Sequence, residues 1–304
     1  MKIAYLILTH SQPGRTACLA KTLAFDSADV YVHIDAKAEV KNWESCKHLK
    51  GNVTLIKERV NCCWGHISLV KASLNLLSQA FHSRQDYDYF ILLSGQDYPI
   101  KSADYISNFL HQHKGQDFIE YFSLPSEKLR EKQGGLYRIN RFHQIRKNYH
   151  KEFPPYSKKP VLNVLFNKWA EIYFSKKRPM PLGMQPYGGS QWWMLTNKTV
   201  GTLLHFLEKN PSVEKFFENV WIPDEIFFQT VLMHLQKEHG LFLVNNNYRH
   251  TQWTDHVGEN TFNPKILCEE DYQALIQSDA LFARKFDENV SAKLIKMLQE
   301  HFAQ

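Results

Sequence analysis

The chain opens on "KIAYLILTH", where Ile3 to Leu8 form an unbroken apolar run that predicts a buried first strand. "PGRTACLAKTLAF" follows as a helix opened by Pro13, whose missing N–H costs nothing in a first turn. "DVYVHID" and "NVTLI" predict two further strands on either side of a polar, helix-like stretch near 38–49. In "ISLVKASLNLLSQAF" the apolar residues Ile67, Val70, Leu74, Leu77 and Phe81 recur at three and four, which is one face of a helix. "YFILLSG" is a continuous apolar run, as a central strand covered on both faces requires. "ADYISNFLHQH" and "DFIEYF" continue the alternation. A βαβα order of this kind implies an α/β fold, a mostly parallel sheet between helices.

From about 124 to 187 the pattern is less regular, rich in Lys, Arg and aromatic residues, with one helix expected around "VLNVLFNKWAEIYF". Beyond it come a strand "QWWMLT", a helix near 197–209, an apolar helix opened by "IPDEIFFQTVL", and strands "LFLV" and "YRHTQW". A last helix near 288–302 places Val290, Leu294, Met297 and Leu298 on one side. No repeat, low-complexity segment or linker divides the chain, so one domain over 1–304 is expected.

Composition narrows the partners. The 43% hydrophobic and 13% aromatic content supplies a packed core and excludes disorder as the main state. A formal net charge of +6 favours anionic ligands such as nucleotides, phosphorylated sugars or an acidic membrane face. The basic residues are scattered and form no helical stripe, so nucleic acid is not expected. The first apolar run is too short for a signal peptide or a span, and a cytoplasmic protein is the expectation. Five cysteines, at 18, 46, 62, 63 and 268, have no metal-ligand spacing and fit a reduced compartment.

In open parallel sheets the ligand lies beyond the carboxyl ends of the strands. That rule selects His10 after strand one, His33 and Asp35 at strand two, and Ser94, Gly95 and Asp97 after the long apolar strand. Gly95 removes bulk where backbone could meet a ligand; Asp97 is either a ligand contact or a turn residue ahead of Pro99. Asp86-Tyr87-Asp88 matches a metal-binding Asp-x-Asp string but precedes its strand, roughly 20 Å from the crevice end. The acids at the right end stand singly, which is thin for a divalent cation, and no metal is expected. Cations from the protein would then meet a phosphate: Arg284 and Lys285 in "LFARKFD", joined by Arg249 in "NNYRHTQW". The alternative for these is solvated surface charge. Pro223-Asp224-Glu225 can be a helix start and no more, its acids complementing the dipole. It can equally aim a carboxylate into the cleft as a general base.

In order, "KIAYLILTH", "VYVHIDAK", "WGHISLVKASLNLL", "YFILLSGQDYPIKS", "GGSQWWMLT", "IPDEIFFQTVL" and "LFARKFD" resemble the core-2/I-branching N-acetylglucosaminyltransferases, a family that includes peptide xylosyltransferases. The likeness spans nearly the whole chain. It implies a GT-A fold, an inverting mechanism without metal, a donor-binding half at about 1–123 and an acceptor-side, catalytic half at 124–304. It implies Glu225 as the base, Lys285 with Arg284 at the diphosphate, and Arg249 as a candidate second ligand. His33 and Asp35 resemble part of the nucleoside pocket. Trp64, the "SGQD" block, and Gly189 and Ser190 of the "GGS" block before Trp192 resemble donor and acceptor walls, with Asp224 on the acceptor side. Glu120 in "IEYF" falls where animal members hold the acceptor sugar. The donor implied is UDP-N-acetylglucosamine, with UDP-xylose or another UDP-sugar open, and the acceptor a carbohydrate or glycolipid. Animal members carry a membrane anchor and structural disulfides, and neither is visible here. The expectation is therefore a bacterial-type, cytosolic enzyme of surface polysaccharide or lipo-oligosaccharide synthesis. A non-catalytic sugar- or nucleotide-binding subunit is the alternative. The basic stretch 137–151 is either a solvated loop or a peripheral membrane contact.

Overall fold

The computed structural model describes residues 1–303 apart from 26, 48, 50, 51, 128, 130, 147, 148, 154–177 and 254–262. Seven of its strands make the central sheet: β1 (Ile3–Thr9), β2 (Ala28–Ile34), β3 (Val53–Leu55), β4 (Tyr89–Ser94), β6 (Asp117–Ile119), β11 (Trp193–Thr196) and β12 (Leu243–Val244). Their order across the sheet is β12-β6-β11-β4-β1-β2-β3. β3, β2, β1 and β4 run parallel, as the alternation of strands and helices implies. β11 is the exception. It runs antiparallel to β4 on one side and β6 on the other, and so brings its amino end, with Trp192, to the edge where β1, β2 and β4 finish.

Both faces of β1 and β4 are covered, which accounts for their unbroken apolar runs. Ala4, Leu6, Phe90 and Leu92 point into one core with the helices Ser68–Phe81 and Phe227–His239. Ile3, Tyr5, Ile7, Tyr89, Ile91 and Leu93 point into the other, with the helices Pro13–Leu23 and Ala292–Phe302. Leu294 and Leu298 fill that second core, whereas Val290 lies exposed in the turn before the last helix, not on its buried side.

A second, three-stranded sheet sits beyond the carboxyl edge: β13 (Arg249–Thr251), β14 (Phe282–Arg284) and β5 (Asp97–Pro99). Its register sets Arg284 opposite both Thr251 and Asp97. Two short pairs complete the strands, β7 (Phe122–Ser123) with β10 (Tyr187–Gly188) and β8 (Phe142–Arg146) with β9 (Tyr149–Phe153). The stretch expected as a solvated basic loop is thus a helical turn, Tyr137–Asn140, and a hairpin, with Arg138 and Arg141 buried. The helix expected in "VLNVLFNKWAEIYF" lies outside the described residues. Among the described residues no helix is long and apolar enough to cross a membrane.

Candidate active site

The carboxyl edge gathers three of the selected strand ends. The Asp35 N–H donates to the Thr9 carbonyl at 2.8 Å, the Gly95 N–H to Leu8 at 2.8 Å, and the Phe286 N–H to Gln96 at 2.8 Å. Exposed His10, Asp35, the Ser94–Asp97 turn and the "FARKF" strand therefore share one rim. Asp88, by contrast, accepts the Lys2 N–H at the opposite end of β4, as its place before the strand demands.

Asp97 is wholly buried and lies between two guanidiniums. Arg249 Nη1 is 3.0 Å from its Oδ2 and Arg284 Nε 3.7 Å from its Oδ1, while the Ser94 N–H donates to Oδ2 at 2.7 Å. Its Oδ1 has no hydrogen-bond partner among the described residues. Arg249 is equally enclosed: it donates to the Leu92 carbonyl at 3.1 Å and stacks over Trp192 and Phe282. Burial lowers its pKa to about 10, against the support of Asp97 and with the repulsion of Arg284. Arg284 is more open and lies over the Trp192 ring at 4.7 Å. Lys285 is half-buried with no side-chain ion pair among the described residues; burial and neighbouring Arg284 both depress its ammonium. Arg284 and Lys285 are the cations of this cluster with room to meet a ligand.

Two expected contacts have structural partners instead. His33 is buried, its Nε2 accepts the Val60 N–H at 2.8 Å, and burial lowers its pKa. Gly95 faces protein: a Cβ there would lie 2.5 Å from Thr9 Oγ1 and 2.8 Å from Thr16 Oγ1, a pair bonded to each other at 3.0 Å. Close packing of this turn against β1 and the first helix requires that glycine. Asp35 accepts the Lys37 N–H at 2.8 Å and lies 3.6 Å from the Lys37 ammonium.

The second half of the site surrounds Pro223-Asp224-Glu225. These residues form a separate 3-10 turn; Ile226, at φ −132° and ψ −37°, breaks the path, and the long helix starts at Phe227. The acids therefore stand ahead of the helix and not in its first turn. What holds Glu225 is Arg138, whose Nη1 donates to Glu225 Oε2 at 2.8 Å. The Arg138 side chain is 8% exposed and that of Glu225 43%. Asp224 is buried, its Oδ1 has no hydrogen-bond partner among the described residues, and burial together with the Glu225 charge raises its pKa to about 7.

"GGS" joins the two halves. The Gly189 N–H donates to the Glu225 carbonyl at 2.9 Å, and Gln229 donates to the Ser190 carbonyl at 2.6 Å. A Cβ on Gly189 would fall 1.9 Å from the Glu120 carbonyl oxygen, so only glycine permits this approach. Three residues on, Trp192 lies under Arg284; extended chain of that length spans at most about 11 Å. Exposed Glu120 accepts from Asn247 at 3.3 Å across the same edge. Trp64, 70% exposed, packs edge-on against Trp221 at 5.1 Å, and Ile222 donates to the Gly65 carbonyl at 3.0 Å. It stands beside the Glu225 turn. Arg138 and its partner Glu131 were not singled out from sequence: Arg138 lies 87 residues from Glu225, inside a stretch whose basic residues look uniformly solvated.

Fold and site together define an α/β protein in which, at the carboxyl edge of a mostly parallel sheet, Gly189 bonds the Glu225 backbone and Trp192, three residues on, lies under Arg284. The chain belongs to the family described as Core-2/I-Branching enzyme, which it matches over residues 3–276. It is 25% identical over 325 residues to "Xylosyltransferase oxt" of Drosophila melanogaster, covering 99% of this chain and 33% of that protein. Human "Xylosyltransferase 2" is 25% identical over 329 residues, covering 99% and 34%. The chain thus spans about a third of the length of these curated relatives. The solved apo structure of mouse "Xyloside xylosyltransferase 1" aligns over 95% of this chain and 99% of that one, at 10% identity and a TM-score of 0.39.

Proposed function

We propose that the chain is an inverting glycosyltransferase that moves a sugar from a UDP-sugar to a carbohydrate acceptor. Glu225 Oε1 takes the acceptor hydroxyl's proton as that oxygen bonds to the anomeric carbon. The bond from the anomeric carbon to the diphosphate breaks with its electron pair on the leaving UDP, and Arg284 and Lys285 meet the charge. The single observation that supports this most is the bridge from Gly189, bonded to the Glu225 backbone, to Trp192 beneath Arg284. Base and cations are then within reach of one substrate. The reaction proposed uses no metal, a reading supported by Arg249 and Arg284 facing Asp97, the buried acid at this edge.

The donor proposed from the sequence blocks is UDP-N-acetylglucosamine. The xylosyltransferase relatives favour a second donor, UDP-xylose. A transfer assay over a UDP-sugar panel decides between them. Glu225→Gln tests the chemistry: UDP binding is retained while transfer falls about 100- to 10,000-fold, the usual contribution of general base catalysis. Unchanged turnover in that variant removes Glu225 from the reaction.

A further inference from the structure

Arg138 commits all three nitrogens of its guanidinium to two carboxylates. Nε donates to Glu131 Oε2 at 2.9 Å, Nη2 donates to Glu131 Oε1, and Nη1 donates to Glu225 Oε2 at 2.8 Å. Its backbone is tied to the same loop, since the Trp221 N–H donates to the Arg138 carbonyl at 3.0 Å. Glu131 is brought alongside by a left-handed bend at Gln133, Gly134 and Gly135, which lets a residue seven positions earlier return to the guanidinium. Gly134 is needed there, because a Cβ would lie 2.8 Å from the Ser126 nitrogen. The Glu225 carboxylate ends up divided: Oε2 is bound, and Oε1 has no hydrogen-bond partner among the described residues. Arg138, Glu225 and Gly189 line one small pocket with Phe122, Leu124 and Ile226.

Resting on Glu225 as the base, we propose that Arg138, clamped by Glu131, is a positioning residue that fixes the carboxylate with one oxygen held and the other turned to the acceptor hydroxyl. A planar fork is suited to this; an ammonium is a point charge and cannot hold two carboxylates in a set orientation. Two acids share one cation, Arg138. Among the described residues the ionisable groups facing it are Arg138 and Asp224 directly, with Glu131 and Tyr137 through Arg138. Burial works against the Arg138 charge, but Glu225 and Glu131 outweigh it and raise its pKa.

The experiment compares Arg138→Lys, Arg138→Met and Glu131→Gln with wild type and Glu225→Gln, reading kcat, the KM for the UDP-sugar, and the acidic limb of the pH–rate profile. Arg138→Lys keeps the charge and loses the fork, so kcat falls about 100-fold, the scale of a misplaced reacting group, with donor KM within about twofold. Glu131→Gln leaves the Arg138 charge undivided for Glu225, which favours the ionised base and moves the acidic limb to lower pH. Arg138→Met removes the cation and moves the limb to higher pH. Loss of folded protein alone would scale the whole profile and shift neither limb, and where Arg138→Met does not fold, the other two variants decide. Limbs that stay put, or move the same way, in variants that bind UDP while Glu225→Gln is inactive overturn the positioning role. Wild-type turnover in Glu225→Gln overturns the base itself.

Discussion

Asp224 and Glu225 adjoin in sequence and have opposite surroundings. Glu225 reaches a guanidinium and solvent; Asp224 is enclosed, and burial together with the Glu225 charge pushes its pKa up to about 7. An acid whose folded pKa lies above its unfolded value binds more protons folded than unfolded, and stability falls as pH rises between the two. For Asp224 that window runs from its ordinary value of 3.8 to about 7. Asp224→Asn keeps the volume and cannot ionise. Its Tm therefore declines less than that of wild type between about pH 4 and pH 8, and the two curves separate most above about pH 7. Parallel curves would mean that Asp224 ionises in the folded protein at its ordinary value. The cost of this burial is consistent with a functional site, where carboxyls with displaced pKa values concentrate.

At the scale of elements, most of the fold was legible and the linking turns were not. β1 and β4 declare themselves because burial on both faces leaves no polar position, and the helix Ser68–Phe81 by its spacing. The antiparallel insertion of β11 is silent in "QWWMLT", since a buried strand reads alike in either direction. "PDE" reads as a first helical turn by composition. Yet Ile222 is left-handed at φ 50° and Ile226 departs from helical angles, so the turn is set off from its helix by tertiary bonds to Gly65 and Gly189. Of the site residues, Glu225, Arg284 and Lys285 fall at the expected edge. His33, Gly95 and Asp97 do too, but their partners are protein groups distant in sequence, and no local pattern reports that. Gly189 shows how an element transmits to chemistry. Gly189→Ala places a Cβ against the Glu120 carbonyl and pushes the strand from the Glu225 backbone. A displacement near 1 Å at a reacting group costs about 100-fold, so kcat in this variant drops on that order while UDP binding, at the other half of the site, persists. Loss of UDP binding with intact turnover per bound donor would show that the bridge serves the donor side instead.

Across the whole molecule, the proposed metal-free mechanism assigns to fixed positive charge what an ion would otherwise supply. The net charge is +6, and at the crevice Arg249 and Arg284 surround Asp97 while Lys285 stays open. Asp97 is bonded by Arg249 at 3.0 Å and faces Arg284 at 3.7 Å, and drawing it onto a divalent cation would leave the buried Arg249 charge unpaired. In the proposed reaction, neutralisation of the leaving diphosphate is assigned to Arg284 and Lys285, whose charge is in place before substrate arrives. A ligand that binds only the folded chain stabilises it by about 2.7 kcal/mol at about 100 times its Kd, which is a Tm rise of several degrees for a protein of this size. UDP should produce that rise equally with excess EDTA and with Mn²⁺, and transfer should persist in EDTA within about twofold. Arg284→Met should remove most of the rise, because the stacked guanidinium is the part of the cluster open to the diphosphate. If the rise and the transfer both required Mn²⁺, the acids at this edge, Asp35 and Asp97, would have to trade their cationic partners for metal. The ion pairs that organise the cluster would then belong to the resting protein alone.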